Sequence, residues 1–318
     1  MTPENNQTAL NSKIHQKVIK LMGNRFEISV VSDDENWAFE QIDKAIAEIK
    51  RIEKLLTTFD ENSQTNLINK NAGIQPVEVD KEVFDIIVRS NRISDLTQGA
   101  FDISYGSIDK SLWNFDKNMI ALPSTETARK MVRLINYKNI ILDANQQTVF
   151  LKNNGMRIGF GGIGKGYAAE QAKKVMQENG VENGIVNASG DLTVWGFQPN
   201  GKPWTIGIAN PNQANEYFSS IELTNTSIAT SGNYEKYVII DGKKYSHTIN
   251  PKTGLPIHGI KSVTIITPNA EFADAIATPI SIMGTKVGLD LINQLNHVEC
   301  IIINDINQVF TSKNIKLS

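Results

Sequence analysis

From residue 40 to residue 56 the apolar side chains Ile42, Ala45, Ile46, Ile49, Ile52, Leu55 and Leu56 return every three or four positions. That period predicts a long amphipathic helix. Just before it, Phe26, Ile28 and Val30 alternate with Glu27 and Ser29, the period of a half-buried strand. Similar patterns predict helices over residues 79–96, 125–134, 164–178, 272–283 and 287–295. Short β-rich runs occupy 140–142, 184–186, 204–208, 237–240, 263–267 and 299–303. Asp241-Gly242 separates the runs 237–240 and 244–249, and an Asp-Gly pair in that setting predicts a hairpin. Helices spaced widely among hairpin-paired strands point to an α+β fold with mixed or antiparallel sheets rather than a regular βαβ repeat. No Pro/Ser-rich linker interrupts the pattern, so a single domain is expected over residues 17–318, after a flexible polar tail of residues 1–16.

Charge narrows the partners. The 32 Lys and Arg against 34 Asp and Glu leave a net charge of -2, and no block of like charge provides a footprint for nucleic acid or an anionic membrane surface. The single cysteine, Cys300, excludes an intramolecular disulfide and a Cys-rich zinc site. Its neighbours Val298 and Ile301 to Ile303 mark it as a buried strand residue. No apolar run is long enough to form a transmembrane helix. The opening residues lack the apolar centre of a secretory signal, so the chain is expected to stay where it is made or to be the trimmed form of an exported protein.

Chemistry concentrates in a few segments. Glycines 159, 161, 162, 164 and 166 surround Lys165 immediately before a helical pattern. Such glycines let backbone amides approach an anion, and the helix start adds a positive dipole end. Residues 159–165 fit most of a P-loop, but the position after the lysine holds Gly166 where that motif needs Ser or Thr. A tight turn with a solvated lysine is the alternative. Asp274 and Thr278 are four apart and would share a helix face, two hard oxygens that suit magnesium; a cap or a solvated charge would leave the same spacing. His247 ends a strand pattern, where it serves structure or proton transfer. Asp102 is a candidate to hydrogen-bond a heterocycle, and Trp113 and Phe115 either stack on one or form a satellite core.

Taken in register, these segments resemble the ApbE family of FAD:protein FMN transferases. The matching pieces are Met22 to Asn24, Phe59-Asp60 with Ser63 and Asn69, Gly99 to Ser104, Trp113 to Phe115, Gly159 to Tyr167, Asn187 to Asp191, Ala229 to Gly232, His247 to Gly254 and Asp274 to Thr278. They run from about residue 18 to about residue 312. The resemblance implies a single ApbE-like, T-fold-like domain. It also implies a magnesium-dependent enzyme that takes FAD as substrate, releases AMP and links FMN through a phosphoester to a threonine of an acceptor protein. Carried over by position, Asp274, Thr278 and the Gly162 carbonyl would hold Mg2+. Met22, Phe59, Ala100, Phe101, Asp102, Gly159, Lys165, Ser231 and Gly232 would contact FAD, and His247 or Asp274 would act as acid or base.

Three positions depart from the family pattern. Gly159 stands where many members carry an acid, Phe59 lacks the hydroxyl often present there, and Ser189-Gly190-Asp191 replaces paired glycines. Activity is expected to survive these changes, with FAD affinity the property they weaken. Water in place of the acceptor would make the same site an FAD pyrophosphatase giving FMN and AMP, and a chain that held FAD unchanged would be a flavin carrier. Family members are typically exported and act on membrane redox complexes, so the acceptor is expected to be a subunit or domain of one.

Overall fold

A computed structural model describes residues 12–209, 217–232 and 236–315. Along the chain come β1 (Lys13–Leu21), β2 (Asn24–Ser32), α1 (Glu35–Leu56), α2 (Gln64–Lys70), β3 (Val77–Glu78), α3 (Lys81–Leu96) and α4 (Thr125–Met131). Next are β4 (Ile140–Asp143), β5 (Thr148–Leu151), α5 (Gly164–Glu178), β6 (Gly184–Ala188), β7 (Asp191–Trp195), β8 (Trp204–Ala209), β9 (Tyr217–Leu223) and β10 (Thr226–Gly232). The remainder is β11 (Tyr237–Ile240), β12 (Lys243–Ile249), β13 (Pro256–His258), β14 (Ile260–Thr267), α6 (Ala270–Met283), α7 (Thr285–Ile292), β15 (Glu299–Asn304) and β16 (Val309–Thr311). The expected α+β composition is what forms. The residues group into two compact units that alternate along the chain.

The first unit takes residues up to Glu53, then Lys165–Thr230 and Thr264–Asp274. Its main sheet has the order β1-β2-β6-β7-β10-β14, with β1–β2, β2–β6, β6–β7 and β7–β10 antiparallel. The inward residues of β2, Phe26, Ile28 and Val30, are fully buried, as are Ile42, Ala45 and Ile49 on α1. The two periods in the sequence are thus the two faces of one core. β1 begins at Lys13, inside the segment expected to be a flexible tail, and pairs in register from Lys13↔Ser32 to Leu21↔Asn24. Residues 1–11 of that segment lie outside the described residues. β6 and β7 join through Ser189 and Gly190 at φ 59° and 101°, the left-handed pair that a tight hairpin demands.

The second unit takes Lys54–Gly164, Ser231–Val263 and Ala275–Ser318. It holds the sheets β3-β5-β4 and β11-β12-β13 and the antiparallel pair β15–β16. The Asp241-Gly242 hairpin forms as expected, with φ 49° and 72° and Ile240 paired to Lys243. Cys300 is fully buried, and burial pushes its thiol far above the ordinary range, which leaves it a structural residue. Trp113 packs against Met131, Val132 and Ile249, so this aromatic belongs to a satellite core. The segment 99–104 leads into a 3-10 helix over Ile103–Ser107, because Asp102 accepts from the Ser104 amide and caps it. Among the described residues no helix is long and apolar enough to cross a membrane.

Candidate active site

Within the first unit, the start of α5 meets the start of α6. A Cβ added at Gly166 would stand 2.2 Å from the Ala270 carbonyl oxygen and 2.7 Å from Asp274 Cβ. No larger residue fits there. This close approach, rather than a phosphate cradle, explains why the P-loop hydroxyl is missing. The Gly166 amide donates to Asp274 Oδ2 at 2.9 Å, and Lys165 Nζ donates to Asp274 Oδ1 at 3.1 Å and to Asp191 Oδ2 at 2.5 Å. Asp191 Oδ1 accepts from the Thr230 amide at 3.2 Å. Burial alone would lower the Lys165 ammonium, yet the charges of Asp274 and Asp191 hold it above the usual lysine range. Burial raises Asp191 to about 6 against the pull of Lys165. Lys165 is a half-buried cation held between Asp191 and Asp274. Lys165, assigned to FAD, is here engaged by carboxylates, and Asp191, which the sequence placed in a family segment but gave no role, is its second partner.

Within the second unit a cleft of about 440 Å³ collects residues from four separate segments. Ala100, Phe101 and Asp102 line it together with Gly159, Gly161 and Gly162, with His247 and with Thr278. Its walls are largely apolar, through Ile103, Tyr105, Ile249, Pro279 and Ile282, with few polar groups aimed inward. That is the usual composition of a small-molecule site. A Cβ at Gly161 would meet nothing within 4 Å, and one at Gly162 would meet only Phe101 Cε2 at 3.6 Å. Gly159 donates its amide to the Ile103 carbonyl at 2.9 Å, and a Cβ there would lie 3.8 Å from Thr58 Cγ2. The space for the missing acid is therefore present.

Asp102 is buried, with Oδ1 accepting from the Ser104 amide and hydroxyl at 2.8 and 2.6 Å and Oδ2 from the Tyr137 amide at 2.8 Å. Burial raises its carboxyl despite these bonds. Its first duty is to fix the loop. Thr278 donates its hydroxyl to Ser231 Oγ at 3.3 Å, which leaves the threonine lone pairs to accept or to ligate. Asp274 stands one turn earlier on the same helix, and both of its oxygens keep lone pairs beyond the single bond each accepts. Hard oxygens of this kind fit magnesium. Gly232 follows Ser231 at the end of β10.

His247 is exposed and its Nδ1 lies 3.2 Å from the Lys236 carbonyl. A carbonyl only accepts, so Nδ1 carries the proton in the neutral ring and Nε2 holds the basic lone pair. The Phe115 ring meets this imidazole edge-on at 6.3 Å. Of the assigned residues, Met22, Phe59, Lys165, Ser231, Gly232 and Asp274 are not in the cleft lining. Phe59 is 98% exposed in the turn after α1, and Met22 sits at φ 50° in the β1–β2 hairpin of the first unit.

The model of the ApbE family matches residues 22–302, and the chain belongs to that family. A protein of Klebsiella pneumoniae (strain 342) named "FAD:protein FMN transferase" is 30% identical over 281 residues, which cover 86% of this chain and 80% of that one. Among solved structures, the ApbE protein of Thermotoga maritima MSB8 superposes with a TM-score of 0.83 at 30% identity, covering 95% of this chain and 97% of its own. The apo flavinyl transferase ApbE of Pseudomonas stutzeri has the same fold, with a TM-score of 0.82 at 24% identity over 95% of each chain. As a member of this family the chain is an enzyme of the transferase class.

Proposed function

We propose that the chain is a magnesium-dependent FAD:protein FMN transferase that attaches FMN to a threonine hydroxyl of an acceptor protein. Family membership and the relatives' names support the flavin transfer. The observation that carries it to this chain is the cleft that gathers Ala100 to Asp102, the glycines 159 to 162, His247 and Thr278. In the reaction the threonine oxygen bonds to the FMN-side phosphorus of FAD, the bridging P–O bond breaks, AMP leaves, and the hydroxyl proton passes to a base.

Of the two candidate bases, His247 suits the task better. Its ring lines the cleft with Nδ1 oriented by the Lys236 carbonyl, and imidazole is the commonest general base. Asp274 already accepts from Lys165 and Gly166 through one bond at each oxygen, which fits a cation-holding role. Magnesium would be held by Asp274, Thr278 and the Gly162 carbonyl, and once bound it neutralises charge on the diphosphate. Phe101 and the apolar wall exclude water from the transfer. We place the acceptor in a membrane redox complex on the family resemblance alone.

The test is to incubate the purified protein with FAD and Mg2+, with and without a candidate acceptor domain, and to follow AMP together with the acceptor's intact mass. AMP formed only with acceptor, alongside a mass gain of one FMN phosphoester, supports the transferase. AMP and free FMN without acceptor would replace it by the pyrophosphatase, and FAD left intact throughout would replace it by a flavin carrier.

A further inference from the structure

The second unit contains another cleft, of about 740 Å³, whose rim carries Arg129, Arg133, Lys138 and Lys252. None of these four makes an ion pair among the described residues, whereas their neighbour Lys130 pairs with Glu126 at 2.6 Å. The only carboxylates in the lining are Asp95 and Asp102, and both are occupied. Asp95 accepts from the Tyr137 hydroxyl at 2.7 Å, and Asp102 accepts from Ser104 and from the Tyr137 amide. The lining thus holds four cations against two carboxyl groups, with Asp109 also acting on Arg133, and positive charge is in local excess. A chain with net charge -2 keeps this local excess of positive charge despite an acidic balance overall, and a cleft focuses such a field. The floor includes Val132 and Ile135, which favours an occupant with carbon framework as well as charge.

Position adds the second half of the argument. Asp102 and Pro251 line both this cleft and the one containing His247 and Thr278. Whatever docks on the basic rim lies one residue's thickness from the place where the acceptor hydroxyl must arrive. We infer that the basic cleft receives an acidic segment of the acceptor protein, so that charge pairing on its rim delivers the threonine to the neighbouring cleft. This inference rests on the flavin-transfer reading. It adds a specificity element, because an acceptor with Asp or Glu beside its threonine would be captured faster and held longer than one without.

The probe is a fluorescein-labelled, Asp/Glu-rich peptide with one threonine, compared with a counterpart in which every acid is Asn or Gln. Fluorescence anisotropy on the full chain should show the acidic peptide binding at least about tenfold tighter, with the preference shrinking as salt is raised. The double variant Arg129→Glu with Arg133→Glu should abolish that preference while FAD binding, read by flavin fluorescence, stays unchanged. Lys138→Gln should reduce it by a smaller factor, and it serves if the double variant misfolds. Equal binding of both peptides, or an acidic preference that survives the double variant, overturns the inference. So does competition by inorganic phosphate as effective as the peptide's own affinity. AMP release with an acceptor domain is measured on the same samples. Acid-selective binding in a protein that never forms AMP would refute the occupant as acceptor and the flavin-transfer reading together, whereas AMP release without acid selectivity refutes the cleft assignment alone.

Discussion

Lys165 Nζ bonds Asp191 Oδ2 at 2.5 Å and Asp274 Oδ1 at 3.1 Å, so one buried ammonium ties the start of α5 to β7 and to α6. Asp191→Ala removes one partner and leaves that cation undercompensated. A loss of about 3 kcal/mol is expected, since breaking a buried pair costs more than the pair itself contributes. Urea unfolding checks this, and a loss below about 1 kcal/mol would show that solvent reaches the pair.

The Thr278 hydroxyl is the group in the cleft whose removal leaves the shape intact. Thr278→Val should lower AMP release by about 100-fold or more, equivalent to roughly 2.7 kcal/mol of transition-state stabilisation, and should raise the magnesium concentration needed for half-maximal rate. Ser231→Ala should do much less, because serine only accepts the threonine's proton. Titrating Mg2+ against rate for both variants decides the assignment.

His247→Gln should cut transfer by about 100- to 10,000-fold, the range of a lost general base. An unaltered rate would return the role to Asp274.

Phe59 is 98% exposed, so truncating it has almost nothing to unpack. Phe59→Ala should leave the melting temperature unchanged. If the ring stacks on the flavin, as its family position suggests, FAD should bind more weakly by roughly 5- to 160-fold, corresponding to about 1–3 kcal/mol of base–aromatic stacking. Unchanged FAD affinity would remove Phe59 from the site.

Tyr105 and Tyr137 resist ionisation. Burial pushes Tyr105 up to about 12, and the hydrogen bond to Asp95 does the same for Tyr137. Both folded values exceed the ordinary value near 10. Their contribution to stability is complete below about pH 10 and is lost as pH rises through 12. Denaturant melts at pH 9 and 11 should show the fall, and a phenolate absorbance titration of Tyr105→Phe should have one fewer high-pH group.

Much of this was legible from residue patterns, within clear limits. The period of α1 and the Asp241-Gly242 hairpin are local signals, and the structure forms both. Ala100 to Asp102, Gly159, Gly162, His247 and Thr278, separated widely along the chain, do line one cleft. α2 was hidden because Gln64–Lys70 has only Leu67 and Ile68 as apolar residues and relies on Ser63 accepting from the Asn66 amide. β1 was hidden because its Ile14 and Val18 are about half exposed, with Lys13, Lys17 and Lys20 along an edge strand as such strands often carry. Asp191 was visible as part of a family segment, but its role was not. Nothing in sequence spacing connects position 191 to 165; the Ser189-Gly190 turn and the packing of Gly166 make the meeting.

The alternation of the two units along the chain has a consequence for synthesis. The first unit opens with the β1–β2 hairpin but is completed only by Thr264–Asp274, near the far end of the polypeptide. On the ribosome its early strands must wait while most of the chain is made before the unit is complete. Until Asp274 emerges, Lys165 has only one of its two carboxylates. The enzyme's charge cluster is therefore among the last features to mature, and a nascent chain released early would carry neither a finished sheet nor a finished site.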